Sequence, residues 1–321
     1  VIDPSARWKE PERQPPYAGL PSFASLPWSE DPADLEGVDV AVVGAPFDAL
    51  AGDRPGSREA PRAIRVASRP MGPEVGTGID ATTRLRLLDF GDAPVVPYDN
   101  EASRSAIETT VGEVVAASAV PLVLGGDHSI TLPSARACAA RHGALGLVHF
   151  DAHTDTAPES YLDTDNHGTM MRALVDEGHV DPARYVQIGL RGTWPGPEVF
   201  EWQAEKGIAH FTAPEVRTMG IDEVIGRAIG IAKGGPVYLT IDIDVLDPAY
   251  SLPTGTPEPG GLEPRELTAA VRRAAEELDV VGVDIVEVVP SAWGTADVAA
   301  VTAVGVAVAA LTGIAASAPG T

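Results

Sequence analysis

Three short clusters in this chain each follow an apolar run: Gly125-Gly126-Asp127-His128, Asp151-Ala152-His153-Thr154-Asp155 and Asp242-Ile243-Asp244. From them His128, Asp151, His153, Asp155, Asp242 and Asp244 offer two imidazoles and four carboxylates. That is too much negative charge for one small ion and suits two divalent cations sharing bridging carboxylates. An oxygen-rich set with few nitrogens and no thiolate favours Mn²⁺ over zinc, and the same donors also accept Ni²⁺.

The elements that must carry these side chains are legible as buried strands over 38–43, 120–124, 145–150, 186–190, 237–243 and 280–286. Helical patterns lie between them over 104–119, 132–141, 221–233 and 264–278. The alternation predicts an α/β protein: a single three-layer α/β/α domain over 36–321, built on a mostly parallel, doubly wound sheet. An irregular, proline-rich arm over 1–35 precedes it. In open sheets of this kind ligands collect beyond the carboxyl ends of the strands, which is where all three clusters fall. Alternation after Phe150 turns Asp151, His153 and Asp155 to a common side, and Asp242 and Asp244 are likewise two apart. Aspartate also follows strands simply because it turns chains. Three such clusters with two histidines among them exceed what turn chemistry asks for.

The remaining histidines, His142, His149, His179 and His210, lack a cluster, and His149 is expected to pack in its strand, facing away from the acidic residues. A net charge of −23 without a basic block argues against nucleic-acid binding. The lone cysteine, Cys138, excludes an internal disulfide framework and fits a reducing, cytoplasmic setting; it is expected to be a small packed residue on a helix. No leader and no apolar run long enough to cross a bilayer is expected, and the small apolar residues over 296–316 are read as a helix packed on the sheet. No membrane partner is therefore anticipated.

The chain resembles the ureohydrolase (arginase and agmatinase) family nearly end to end, and its agmatinase-type members most. Besides the three clusters, the resemblance rests on Tyr17-Ala18-Gly19-Leu20-Pro21, Gly44-Ala45-Pro46-Phe47-Asp48, Arg54-Pro55-Gly56-Ser57-Arg58, His167-Gly168-Thr169, Thr254-Gly255-Thr256-Pro257-Glu258-Pro259-Gly260-Gly261 and Glu287. It implies an arginase-like fold that hydrolyses a guanidino compound to urea and an amine. Asp151 and Asp242 would bridge two metals, with His128 and Asp155 completing one and His153 and Asp244 the other. A metal-bridging hydroxide would attack the guanidino carbon, His167 would pass the proton the amine needs, and Glu287 would pair with the guanidinium. Relatives of this kind assemble as homotrimers or homohexamers.

The substrate tail is less determined. Trp194 stands where arginases place an acidic residue, so an agmatine-like alkyl guanidine is preferred over arginine. Met170-Met171 replaces Pro-Phe, Trp293 follows Ala292 where Tyr-Asp is usual, Leu252 lies where Pro-Gly is expected, and Leu50 replaces Gly. If Met170, Met171, Trp194, Leu252 and Trp293 line the mouth, it is bulkier and more apolar than agmatine requires. The alternatives are 4-guanidinobutyrate, a guanidino secondary metabolite or a very small guanidine, with Arg58 or Arg191 serving a carboxylate tail. Two rivals stand beside this reading. Deacetylases of related fold keep one zinc and fewer aspartates, and a non-catalytic subunit of a hetero-oligomer would have lost ligands that this chain retains.

Overall fold

The computed structural model describes residues 19–158, 166–291 and 297–318. Among them one sheet carries eight strands: β1 (Val40–Gly44), β2 (Leu87–Asp92), β3 (Val120–Leu124), β4 (Leu145–Phe150), β5 (Val180–Leu190), β6 (Ala209–Thr212), β7 (Pro236–Asp242) and β8 (Asp279–Val286). Their spatial order is β2-β1-β3-β8-β7-β4-β5-β6. Every strand pairing in it is parallel. This is the expected three-layer arrangement. The strands at the two edges, β2 and β6, are absent from the sequence reading. Leu87–Asp92 is interrupted by Asp89 and Gly91, and Ala209–Thr212 is short, polar and only partly buried.

The central strands are apolar on both faces because helices cover both. Val148, Phe150, Leu239, Ile241, Val283 and Ile285 share one core with the helices Ile221–Ala232, Pro264–Glu277 and Val298–Ser317. Leu145, Leu147, Tyr238 and Val281 face the opposite core, with Asn100–Ala116, Thr131–His142 and Met170–Asp176. Cys138 is buried on Thr131–His142, as expected of a packed residue.

Residues 19–35 make two short turns and run beside β2. Asp89 N–H donates to the Pro27 carbonyl over 2.8 Å, and Ser29 N–H donates to the Asp89 carbonyl over 3.1 Å. Behind this edge Arg65 is buried and grips both Asp89 oxygens at 2.9 Å, so its charge is paired where water is excluded.

The helix Val298–Ser317 is long and apolar enough, by length and composition, to cross a bilayer, which departs from the sequence expectation. Most of it is nevertheless buried in the fold, consistent with its expected place against the domain. Glycine sets how closely it approaches Pro264–Glu277: a Cβ on Gly313 would lie 2.3 Å from the Arg272 carbonyl oxygen and 2.6 Å from Ala275 Cβ. Gly313→Ala should force the two helices apart and cost about 1–3 kcal/mol. Chemical denaturation measures this, and an unchanged midpoint and slope would mean that the contact is not tight.

Candidate metal centre

Four adjacent central strands, β3, β8, β7 and β4, end at one place. The chain visits them out of sequence order, and such a switch in connection opens a crevice at the strands' carboxyl ends. β3 runs into Gly125 and Gly126, where a Cβ on Gly126 would sit 1.8 Å from the Phe47 carbonyl oxygen. Glycine therefore lets the loop after β1 cross closely. Asp127 then caps Ser129 N–H at 3.0 Å and accepts Leu50 N–H at 3.0 Å, tying that loop down while His128 turns inward. Asp155 and Glu287 both adopt left-handed backbone, with φ of 51° and 60°. Non-glycine residues hold that conformation at a cost that functional sites commonly bear.

The six predicted ligands converge. His128 Nδ1 lies 2.9 Å from Asp155 Oδ2, 3.1 Å from Asp151 Oδ2 and 3.3 Å from Asp242 Oδ2. His153 Nδ1 lies 3.1 Å from Asp244 Oδ2 and 3.4 Å from Asp151 Oδ1. The two oxygens of Asp151 thus face different imidazoles. Asp242 Oδ1 accepts Asp244 N–H over 2.8 Å, and its other oxygen turns to His128.

The donor set fits cations. His128 Nδ1 is buried without a hydrogen-bond partner, and its Nε2 is 2.8 Å from the Thr240 hydroxyl. Burial, then the charges of Asp244 and Asp151, push Asp242 well above the usual carboxylate range. Asp155 is raised by burial and by Asp151. Burial opposes ionisation of Asp151 too, but the adjacent imidazoles of His128 and His149 outweigh it and hold the group well below that range. Burial likewise opposes charge on His153, and Asp244 and Asp151 reverse this and lift it to about 12. Such a cluster must take up protons or bind metal.

His167 and Glu287 meet beside the cluster. Glu287 Oε1 lies 3.0 Å from His167 Nδ1 and accepts His128 N–H at 3.0 Å, while its Oε2 is buried without a partner. Burial resists charge on His167, and the Glu287 hydrogen bond and charge overcome this and raise it to about 9. Gly52 N–H also donates to His167 Nε2 over 2.7 Å, a contact that only the neutral ring can make. Protonation of Nε2, which the neighbouring Glu287 charge favours, would replace the Gly52 contact.

A cleft of about 500 Å³ leads to the cluster, past His153, Asp155 and His167, with Trp194 and Glu258 further along its lining. Arg54 and Asp53 also line it, 61 % and 62 % exposed and 3.7 Å apart. Other residues expected at the mouth lie elsewhere. Met170 and Met171 open the helix Met170–Asp176 and are fully buried in the core, because that helix turns its first residues inward. Leu252 is exposed and outside the cleft lining, and Trp293 lies outside the described residues. Arg58 pairs with Asp48, and Arg191 is spent on the backbone carbonyls of Gly189, Asp244, Val245, Leu246 and Glu258. Neither of these two arginines is free for a substrate carboxylate.

His149 departs from expectation. Its Nε2 is 2.7 Å from Asp151 Oδ2. The signal was available, since residues two apart in a strand share a face.

A parallel α/β domain whose switch-point crevice holds a buried imidazole and carboxylate cluster defines a metal-site hydrolase. The chain belongs to the Arginase family, whose profile matches residues 38–313. It is 40 % identical over 283 residues to proclavaminate amidinohydrolase of Streptomyces clavuligerus, covering 86 % of this chain and 87 % of that protein. The solved structure of that enzyme matches with a TM-score of 0.88 at 36 % identity, over 95 % of this chain and 100 % of that one. Guanidinopropionase of Pseudomonas aeruginosa is 41 % identical over 278 residues, 86 % of each chain. The mitochondrial agmatinase of Gallus gallus is 41 % identical over 273 residues, 85 % of this chain and 79 % of that one. The protein is accordingly an amidinohydrolase of guanidino compounds, acting on C–N bonds of linear amidines.

Because His153 carries a proton in the metal-free protein and must lose it to act as a ligand, cation binding should release protons. Mn²⁺ titration at pH 8 in weak buffer should liberate about one proton or more per chain. Binding without release would remove His153 from the ligand set.

Proposed function

We propose that the site holds two divalent cations, Mn²⁺ or alternatively Ni²⁺, and hydrolyses an agmatine-like alkyl guanidine to urea and an amine. The observation that carries this reading is Asp151, whose two oxygens each face a different imidazole, with Asp155 and Asp242 on one side and Asp244 on the other. Bound there, the cations would supply a water acidic enough to act as nucleophile near neutrality.

The chain's own residues do the rest. Glu287 Oε2, buried and unpartnered, is available to pair with the guanidinium and fix its plane, while Oε1 keeps His167 in reach. The bond from the guanidino carbon to the alkyl nitrogen breaks, and the departing nitrogen needs a proton that the charged His167 can give. Asp53 and Glu258 lend the cleft a negative lining that favours an ammonium tail.

One observation favours a second reading. Arg54 is the one arginine or lysine in the described cleft lining, and its ion pair with Asp53 is a loose one, so a guanidino acid is the alternative substrate. The buried Cys138 suits a reducing cytoplasm, and assembly of identical subunits into trimers or hexamers completes the reading.

Urea release by Mn²⁺- and Ni²⁺-loaded protein on agmatine, 4-guanidinobutyrate, L-arginine and guanidine tests the tail. Preference for agmatine is expected. Turnover of 4-guanidinobutyrate, lost in Arg54→Gln, would establish the acid instead, and L-arginine as best substrate would defeat both readings. His167→Ala should slow turnover about 10²-fold or more with metal content intact. In Glu287→Gln the His167 titration should fall from about 9 toward the ordinary imidazole range, so the protonated form is lost at lower pH. NMR titration measures this in metal-free protein, and an unmoved midpoint would sink the pairing.

A further inference from the structure

A hydrogen-bond chain runs from the helix Pro197–Lys206 to the back of the cluster. Gln203 Nε2 donates to Gln187 Oε1 over 2.8 Å. Gln187 Nε2 donates to the Thr154 carbonyl over 2.7 Å and to the Tyr185 hydroxyl over 2.8 Å. That hydroxyl lies 2.9 Å from His149 Nδ1, and His149 Nε2 lies 2.7 Å from Asp151 Oδ2. His149, Tyr185 and Gln187 are fully buried and Gln203 is 1 % exposed.

The direction of every bond follows from one atom. The Thr154 carbonyl can only accept, so the Gln187 amide must present its nitrogen there and its oxygen to Gln203. Gln187 Nε2 also lies 3.1 Å from His149 Nδ1, so its second hydrogen goes either to that nitrogen or to the Tyr185 oxygen, which leaves the hydroxyl hydrogen for His149; in both cases Nδ1 accepts. A neutral imidazole that accepts at Nδ1 carries its hydrogen on Nε2, which points at Asp151. On the other oxygen, Asp151 Oδ1 accepts His153 N–H over 2.6 Å. Both oxygens are thereby pinned from behind, with lone pairs left toward the two imidazoles.

We propose that His149 is a positioning residue: an imidazole whose Nδ1 is held by Tyr185 and Gln187, themselves braced by Gln203, so that its Nε2–H orients Asp151 and sets the affinity of the site for its cations. This rests on the reading of Asp151 as a metal ligand. Partners of this kind contribute about 10–100-fold in metal affinity, because an unheld carboxylate must lose its rotational freedom when the ion binds.

The test is Mn²⁺ affinity, measured on the full chain by competition with a chelating dye. His149→Phe, which keeps the bulk and removes the donor, should bind about 10–100-fold more weakly. His149→Gln, whose amide nitrogen can reach the place of Nε2, should recover most of that loss. Gln203→Leu, at the far end of the chain, should weaken binding in the same direction and by less. A purely structural role would lower the melting temperature and leave the affinity of the folded protein alone. Folded His149→Phe with the parent's affinity would therefore overturn the proposal, while a parent that binds no cation would overturn the metal reading as well. If His149→Phe does not fold, ¹⁵N NMR of the metal-free parent decides. The Nε2–H tautomer is expected, and an Nδ1–H ring or an imidazolium would refute the hold on Nδ1.

Discussion

The structure depends on gathering carboxyl groups where water is excluded. Asp151, Asp155, Asp242 and Asp244 are all buried, within reach of two imidazoles. In a low-dielectric setting their mutual repulsion would be prohibitive without compensating positive charge. The fold answers with geometry. Parallel central strands deliver the acids at one depth, while backbone N–H groups of His153 and Asp244 each take up one oxygen of Asp151 and Asp242. What remains exposed to the crevice is a set of lone pairs that asks for cations.

The same logic organises the surroundings. Glu287 serves two neighbours through one oxygen and keeps the other free, and the loop after β1 is fastened by Asp127. Arg191 neutralises no carboxylate; it gathers the carbonyls of three successive residues after β7 and so holds Asp244 in place. In the proposed function the guanidino head would meet rigid strand ends, and the tail would meet Arg54 and Asp53, which are exposed and only loosely paired. Relatives are named for agmatine, guanidinopropionate and proclavaminate chemistry, so a guanidino or amidino head is common to those names. Their names differ in what lies beyond it.

Much of this was legible in the residues. Strand ends marked by Asp-x-His-x-Asp and Asp-x-Asp reveal themselves because a period of two aligns the side chains. The edge strands β2 and β6 carry no such signal, since buried Asp89 and Gly91 break the apolar run of one and the other is short and partly exposed. Met170 and Met171 show the limit of sequence neighbourhood. They adjoin His167-Gly168-Thr169 in the chain, yet the helix they open rotates them into the core. Arg54, exposed and unremarked among the tail candidates, is recognisable only once the loop is folded over the cleft. His149 obeys the same period of two, sharing a face with Asp151, although a strand histidine flanked by apolar residues also reads as filling.

The strand order has a consequence for biosynthesis. β8 is the last of the described strands to be made, yet it lies between β3 and β7 in the middle of the sheet. A nascent chain lacking it has two separate half-sheets, β2-β1-β3 and β7-β4-β5-β6, with unpaired inner edges. His128 then belongs to one half, and Asp151 and Asp242 to the other. The two parts of the ligand cluster can therefore be held together only once β8 has been made and inserted between the halves.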